Sequence, residues 1–134
     1  MTAQHRVLVV EDNTADVVLT KKALSILNVE IFVAATAETA LELLAREAVD
    51  LILLDLNLPK VSGFELLSRL KSQERTKAIP VVVNTSSSSQ EDIRRAFSQG
   101  AAGYIVKPMF HQQFRDQIAI LGAYWFQASR IPLR

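Results

Sequence analysis

The chain has 134 residues, 49% of them apolar and 22% charged, the balance of one soluble globular domain of ordinary size. Fifteen basic and fourteen acidic residues leave a formal net charge of +1, without the basic excess that nucleic acid or an anionic membrane would require. Cysteine is absent, which excludes disulfide frameworks, thiolate metal sites and cysteine nucleophiles. Residues 1–6 carry no apolar core of signal-peptide length, and no apolar run approaches the roughly 18 residues of a membrane span. The expectation is a cytoplasmic domain over residues 1–126 with a tail over 127–134.

In chain order, the first apolar run is Val7 to Val10, uninterrupted in the manner of a strand covered on both faces. A helix over Thr14 to Leu27 follows, with Leu19, Ala23 and Leu27 at four-residue spacing. The weaker run Ile31 to Ala34 fits an edge strand, and Glu38 to Glu47 reads as a helix presenting Ala40, Leu41, Leu44 and Ala45. Leu51 to Leu54 is the next strand, then a helix over Gly63 to Lys71 with Phe64, Leu67 and Leu70 on one side. Val81 to Val83 precedes a helix over Gln90 to Gln99 that presents Ile93 and Phe97. Tyr104 to Val106 is the last strand, and Phe110 to Phe126 the last helix, with Phe114, Ile118, Leu121 and Trp125 down one side. Thr36 with Thr39, and Ser88 with Glu91, have the spacing of helix starts, while Gly100 stands where a left-handed cap closes the fourth helix. Strict alternation of strand and helix implies a (βα)5 doubly wound α/β domain: a parallel sheet with helices on both faces.

In such sheets the site lies beyond the carboxyl ends of the strands. Those ends carry Glu11-Asp12, Asp55 with Asn57 two residues on, Thr85, and Lys107-Pro108. Three carboxylates crowded on one rim repel each other unless a cation sits among them, and oxygen ligands suit a hard divalent ion such as Mg²⁺. Lys107 and Thr85 supply an ammonium and a hydroxyl for the remaining oxygens of a phosphoryl group, and a central carboxylate can serve as nucleophile.

These residues, together with Pro59, Gly63 eight positions after Asp55, and Ser86 after Thr85, resemble the receiver domain of two-component response regulators. The resemblance covers about residues 6 to 126 and implies the flavodoxin-like strand order 2-1-3-4-5. It implies that Asp55 is the phospho-acceptor, that Glu11, Asp12, Asp55 and Asn57 bind Mg²⁺, and that Thr85 and Lys107 hold phosphoryl oxygens. Tyr104 would be the aromatic switch, the Lys107–Pro108 bond would be cis, and Ser87 and Asn57 would tune dephosphorylation. The implied partner is a sensor histidine kinase, met by Asn13, Asp16 and Val17. The domain would catalyse only its own phosphorylation and dephosphorylation, and would signal through the face of the fourth helix, fifth strand and fifth helix. Glu11-Asp12-Asn13 with Asp16, the stretch Asp55 to Lys60 and the tail are similar to the stand-alone regulators paired with bacterial phytochromes.

Tyr124, Trp125 and Phe126 cannot all face one side of a helix. They read either as packing under the Ile131-Pro132-Leu133 tail or as a homodimer face, and the dimer is the expectation. Two further functions stay in view: an aspartyl-nucleophile phosphate hydrolase, and a phosphorylation-independent scaffold. The hydrolase would need a second acid at position 57, where the chain has Asn57. The scaffold would need a degraded acidic site.

Overall fold

The computed structural model describes residues 4–132. In chain order the elements are β1 (His5–Val10), α1 (Thr14–Leu24), β2 (Val29–Ala34), α2 (Ala37–Arg46), β3 (Leu51–Leu54), α3 (Gly63–Ser72), β4 (Val81–Thr85), α4 (Gln90–Ser98), β5 (Gly103–Val106) and α5 (His111–Ala123). All strands are parallel, in the order β2-β1-β3-β4-β5. The alternating pleat divides each central strand between two cores. Val7, Val9, Leu51 and Leu53 pack with Ala23, Leu24, Phe114 and Ile118 of α1 and α5. Leu8, Val10, Ile52 and Leu54 pack on the other face with residues of α2, α3 and α4.

The uninterrupted apolar runs are buried throughout at Val7–Val10, β3 and β4. Two expectations need correction here. The uninterrupted apolar run Tyr104–Val106 has the same pattern of a strand covered on both faces, but β5 is an edge strand and every residue in it is only partly buried. On α4 the buried residue is Ala96, whereas Phe97 remains 49% exposed.

Local chemistry sets the helix ends. Thr36 and Thr39 form a reciprocal capping box at α2. At α4 the cap is Ser89, whose hydroxyl accepts from the Asp92 N–H at 3.3 Å, one residue beyond the expected Ser88–Glu91 pair. Gly100 closes that helix at φ +105°, a left-handed conformation that side chains rarely adopt. α1 ends at Leu24 rather than Leu27, because the Leu27 N–H turns back to the Leu24 carbonyl at 2.9 Å.

The last helix also ends before Phe126. After Ala123 the chain widens into a π-helical turn, Tyr124–Ala128. That turn brings both Trp125 and Phe126 against the α1/α5 core, and Phe126 stacks on His5 with ring centroids 4.7 Å apart. Tyr124 stays 54% exposed and meets Trp125 edge-on at 5.1 Å. Two of the three rings expected at a dimer face thus pack on the chain's own core. Leu133 of the expected tail packing lies outside the described residues.

A cavity of about 220 Å³ lies at the amino ends of the strands, beside Asp50, Arg75, Pro80 and Pro132, remote from the carboxyl ends. Among the described residues no helix is long and apolar enough to cross a membrane.

Candidate functional site

β1 and β3 are neighbours in the sheet and end at the same level. The Glu11 N–H extends the ladder to Ala34 O at 2.9 Å, and the Asp55 N–H donates to Val10 O at 3.0 Å. Carboxylate oxygens of Glu11, Asp12 and Asp55 therefore lie within 4.8 Å of one another. Glu11 and Asp55 are buried, while Asp12 faces solvent. Each buried acid is oriented in the same way. Asn13 N–H donates to Glu11 Oε2 at 3.2 Å, and Asn57 N–H to Asp55 Oδ1 at 3.1 Å.

Their other oxygens converge on one ammonium. Lys107 Nζ donates to Glu11 Oε1, to Asp55 Oδ2 at 3.1 Å and to Asp16 Oδ2 at 2.9 Å. The Lys107 N–H continues β5 beside β4, donating to Thr85 O at 2.7 Å. Thr85 is fully buried, and its Oγ1 has no hydrogen-bond partner among the described residues. Such a hydroxyl costs on the order of 1–3 kcal/mol unless something reaches it.

Burial pushes the Glu11 carboxyl up to about 7; the nearby Asp55 adds to the rise and the Lys107 hydrogen bond opposes it. Burial draws the Lys107 ammonium down, but hydrogen bonds to Glu11 and Asp16 and the charges of Glu11 and Asp55 outweigh it, leaving the pKa raised. Lysine thus stays charged while glutamate titrates near neutrality. The sign follows from proton uptake. Folded Glu11 holds its proton to higher pH than the unfolded residue, so its contribution is complete below about 4.5 and is lost as pH rises through about 7. Without metal, stability should fall on the order of 2 kcal/mol between pH 5 and 8 from this group. Mg²⁺ should raise the melting temperature most at the upper end, where the carboxylate is free to bind it. Melting curves at both pH values, with and without Mg²⁺, check this; a metal-free protein that gains stability toward pH 8 contradicts it.

The donor set fits a hard divalent ion. Three carboxylates within 4.8 Å, one of them solvent-exposed, leave room for retained waters, as Mg²⁺ requires. The Asn57 side chain is exposed and only its backbone enters the site.

Tyr104 lies half-buried against the α2/α3/α4 core, its hydroxyl donating to Ser87 O at 3.0 Å. The Ser87 hydroxyl is held at 2.7 Å by Asp92. The Lys107–Pro108 bond is trans, not cis. Trans is favoured by about 0.5–1 kcal/mol for bonds to proline, and Lys107 spans the carboxylates in that form.

Of the residues assigned to partner contact, Asn13 is the cap of α1, accepting from the Asp16 N–H at 3.0 Å. Val17 is half-buried, and its neighbour Val18 is 50% exposed. The Asp16 side chain is 26% exposed and also reaches the site, with its Oδ2 2.9 Å from Lys107 Nζ. Sequence reasoning missed that role and the Ser87–Asp92 pair. The available signal for Asp16 was an acid three residues after the helix cap, on the turn that abuts the strand ends.

A family model described as the response regulator receiver domain matches residues 7–119. The chain belongs to that family. The receiver is 37% identical over 134 residues to the probable methanogenesis regulatory protein FilR2 of Methanothrix harundinacea, covering 94% of this chain and 86% of that one. Several other curated relatives are much longer; the receiver spans 23% of the response regulator PleD of Caulobacter vibrioides, at 36% identity and 78% of its own length. Among solved structures it is similar to the phosphorylated cyanobacterial phytochrome response regulator RcpA, at 32% identity and a TM-score of 0.93, with 98% of this chain and 100% of that one covered. The Mn²⁺-bound form of response regulator Rcp1 superposes at a TM-score of 0.90 and 28% identity, with 96% and 99% covered.

Proposed function

We propose that Asp55 accepts a phosphoryl group from the phosphohistidine of a sensor kinase, with Mg²⁺ at Glu11, Asp12, Asp55 and the Asn57 backbone. The observation that carries this reading is the Lys107 ammonium 3.1 Å from Oδ2 of a carboxylate already fixed by a backbone N–H, with an unpartnered, buried Thr85 hydroxyl at the end of the neighbouring strand. An Asp55 oxygen attacks phosphorus, the P–N bond breaks, and the nitrogen keeps the electron pair as an acyl phosphate forms. Bound Mg²⁺ neutralises charge on the transferring group. Lys107 and Thr85 each donate to a phosphoryl oxygen, and Asn57 N–H keeps Asp55 in line.

Tyr104 then carries the change outward, since its hydroxyl is tied to the Ser87 carbonyl in the loop that follows Thr85. The reader surface is the α4–β5–α5 face, where Ile120 (70% exposed) and Gln117 line a groove along Tyr104, Ile105 and Val106. A homodimer through this face, with the tail 127–134 contributing, is the favoured assembly, and phosphorylation would alter it in either direction. Similarity to RcpA supports a bacterial phytochrome as the kinase; Asn13, Asp16 and Val17, at the start of α1, are the residues it would meet. The hydrolase reading loses force at Asn57, and the scaffold reading at an acidic site complete in every member.

Intact mass after incubation with acetyl phosphate tests the proposal. A Mg²⁺-dependent gain of one phosphoryl group, removed by hydroxylamine and absent in Asp55→Asn, is expected. Equal uptake by the Asp55→Asn protein would place the chemistry elsewhere.

A further inference from the structure

The acceptor site holds a carboxylate that neither the metal cluster nor the phosphoryl transfer uses. Asp16 stands on the first turn of α1, its backbone N–H fixed by the cap residue Asn13. Its side chain is 26% exposed, and Oδ2 lies 2.9 Å from Lys107 Nζ. Glu11 and Asp55, the other two partners of Lys107, belong to the carboxylate cluster suited to the cation, whereas Asp16 does not. An ammonium has three donors. In the resting protein Lys107 spends them on Glu11, Asp16 and Asp55.

We propose that Asp16 is a positioning residue, holding Lys107 in the resting form and setting how readily a phosphoryl oxygen can claim it; this rests on the reading of Asp55 as acceptor. Glu11 and Asp55 would share their oxygens with a divalent ion held in the carboxylate cluster and so would hold the ammonium less tightly. Asp16 keeps its hold, because nothing in the cation cluster competes for it. The phosphoryl oxygen must therefore take its donor in competition with Asp16. The Asp16 charge also repels the incoming anion through the same low-dielectric space. Removing that charge while keeping the side-chain shape should favour the phosphoryl-bound form.

The test compares the parent, Asp16→Asn and Asp16→Glu by beryllofluoride titration in saturating Mg²⁺, alongside ¹⁵N NMR of the Lys107 ammonium without metal. Asp16→Asn should bind beryllofluoride about fivefold more tightly or better, and Asp16→Glu should return toward the parent. The Lys107 resonance should shift in Asp16→Asn and less in Asp16→Glu. Affinities within twofold across all three proteins overturn the proposal. If the parent itself binds no beryllofluoride, the acceptor reading fails separately. The Lys107 resonance then decides alone: a shift in Asp16→Asn supports the tether, and an unmoved signal overturns it.

Discussion

Lys107→Met should cost about 3 kcal/mol in metal-free protein at pH 8, roughly 10 °C in melting temperature for a domain of this size. The lysine side chain is 11% exposed and is shared by Glu11 at 4%, Asp55 at 8% and Asp16 at 26%. Its removal leaves these acids facing each other without a cation, the circumstance in which breaking a buried pair is most damaging. Two controls separate this from lost packing. Near pH 5 a protonated Glu11 should shrink the penalty, since its pKa stands near 7 even with lysine present. Mg²⁺ should recover most of the loss at pH 8 by supplying the missing positive charge. Urea denaturation across those four conditions reads the effect. A uniform loss, blind to pH and metal, would reassign Lys107 to packing.

Gly63→Ala should be nearly as costly, about 3 kcal/mol, for a reason confined to backbone. A Cβ at Gly63 would stand 2.4 Å from the Asp55 carbonyl oxygen and 2.5 Å from Leu56 Cα. The Gly63 N–H also donates to Leu56 O at 2.9 Å, so α3 is drawn down onto the end of β3. Relief requires the Asp55 backbone to move. Stability and beryllofluoride affinity should therefore fall together. Gly122→Ala supplies the contrast, because its Cβ would meet Leu27 Cδ1 at 2.3 Å, the end of a flexible side chain. The alanine at 122 should be the milder variant in chemical denaturation; equal losses would mean that the β3–α3 junction yields more easily than its contacts imply.

Much of this was legible in the chain because the signals were redundant. Val7–Val10, Leu51–Leu54 and Val81–Val83 have no polar interruption, and an element covered on both faces leaves that mark. β5 carries the same apolar run yet lies at the edge, since hydrophobicity records what a strand touches and not whether a further strand follows. Glu11, Asp12, Asp55 and Lys107 were found from strand ends alone, because a parallel sheet sends every strand's carboxyl end to one rim. The Asp16–Lys107 contact escaped that logic, since Asp16 rides on a helix and only three-dimensional packing turns it toward Lys107. The exit of α5 was missed for a related reason. Helical periodicity assumes 3.6 residues per turn, and the widened turn at Tyr124–Ala128 reorients Trp125 and Phe126 against that count.

The strand order divides the site into a rigid and a yielding half. Asp55 follows β3, which is bonded on both sides by β1 and β4 and whose residues are no more than 1% exposed. Tyr104 lies in β5 and Lys107 directly follows it; that strand pairs with β4 alone and is partly open to solvent along its length. Local opening is least costly where few backbone bonds and little apolar surface must be given up. The residue that undergoes the chemistry is therefore anchored in the most protected part of the molecule. Those that would respond to it are carried on the margin, where a change of charge worth a few kcal/mol is large enough to redistribute conformations without loosening the fold.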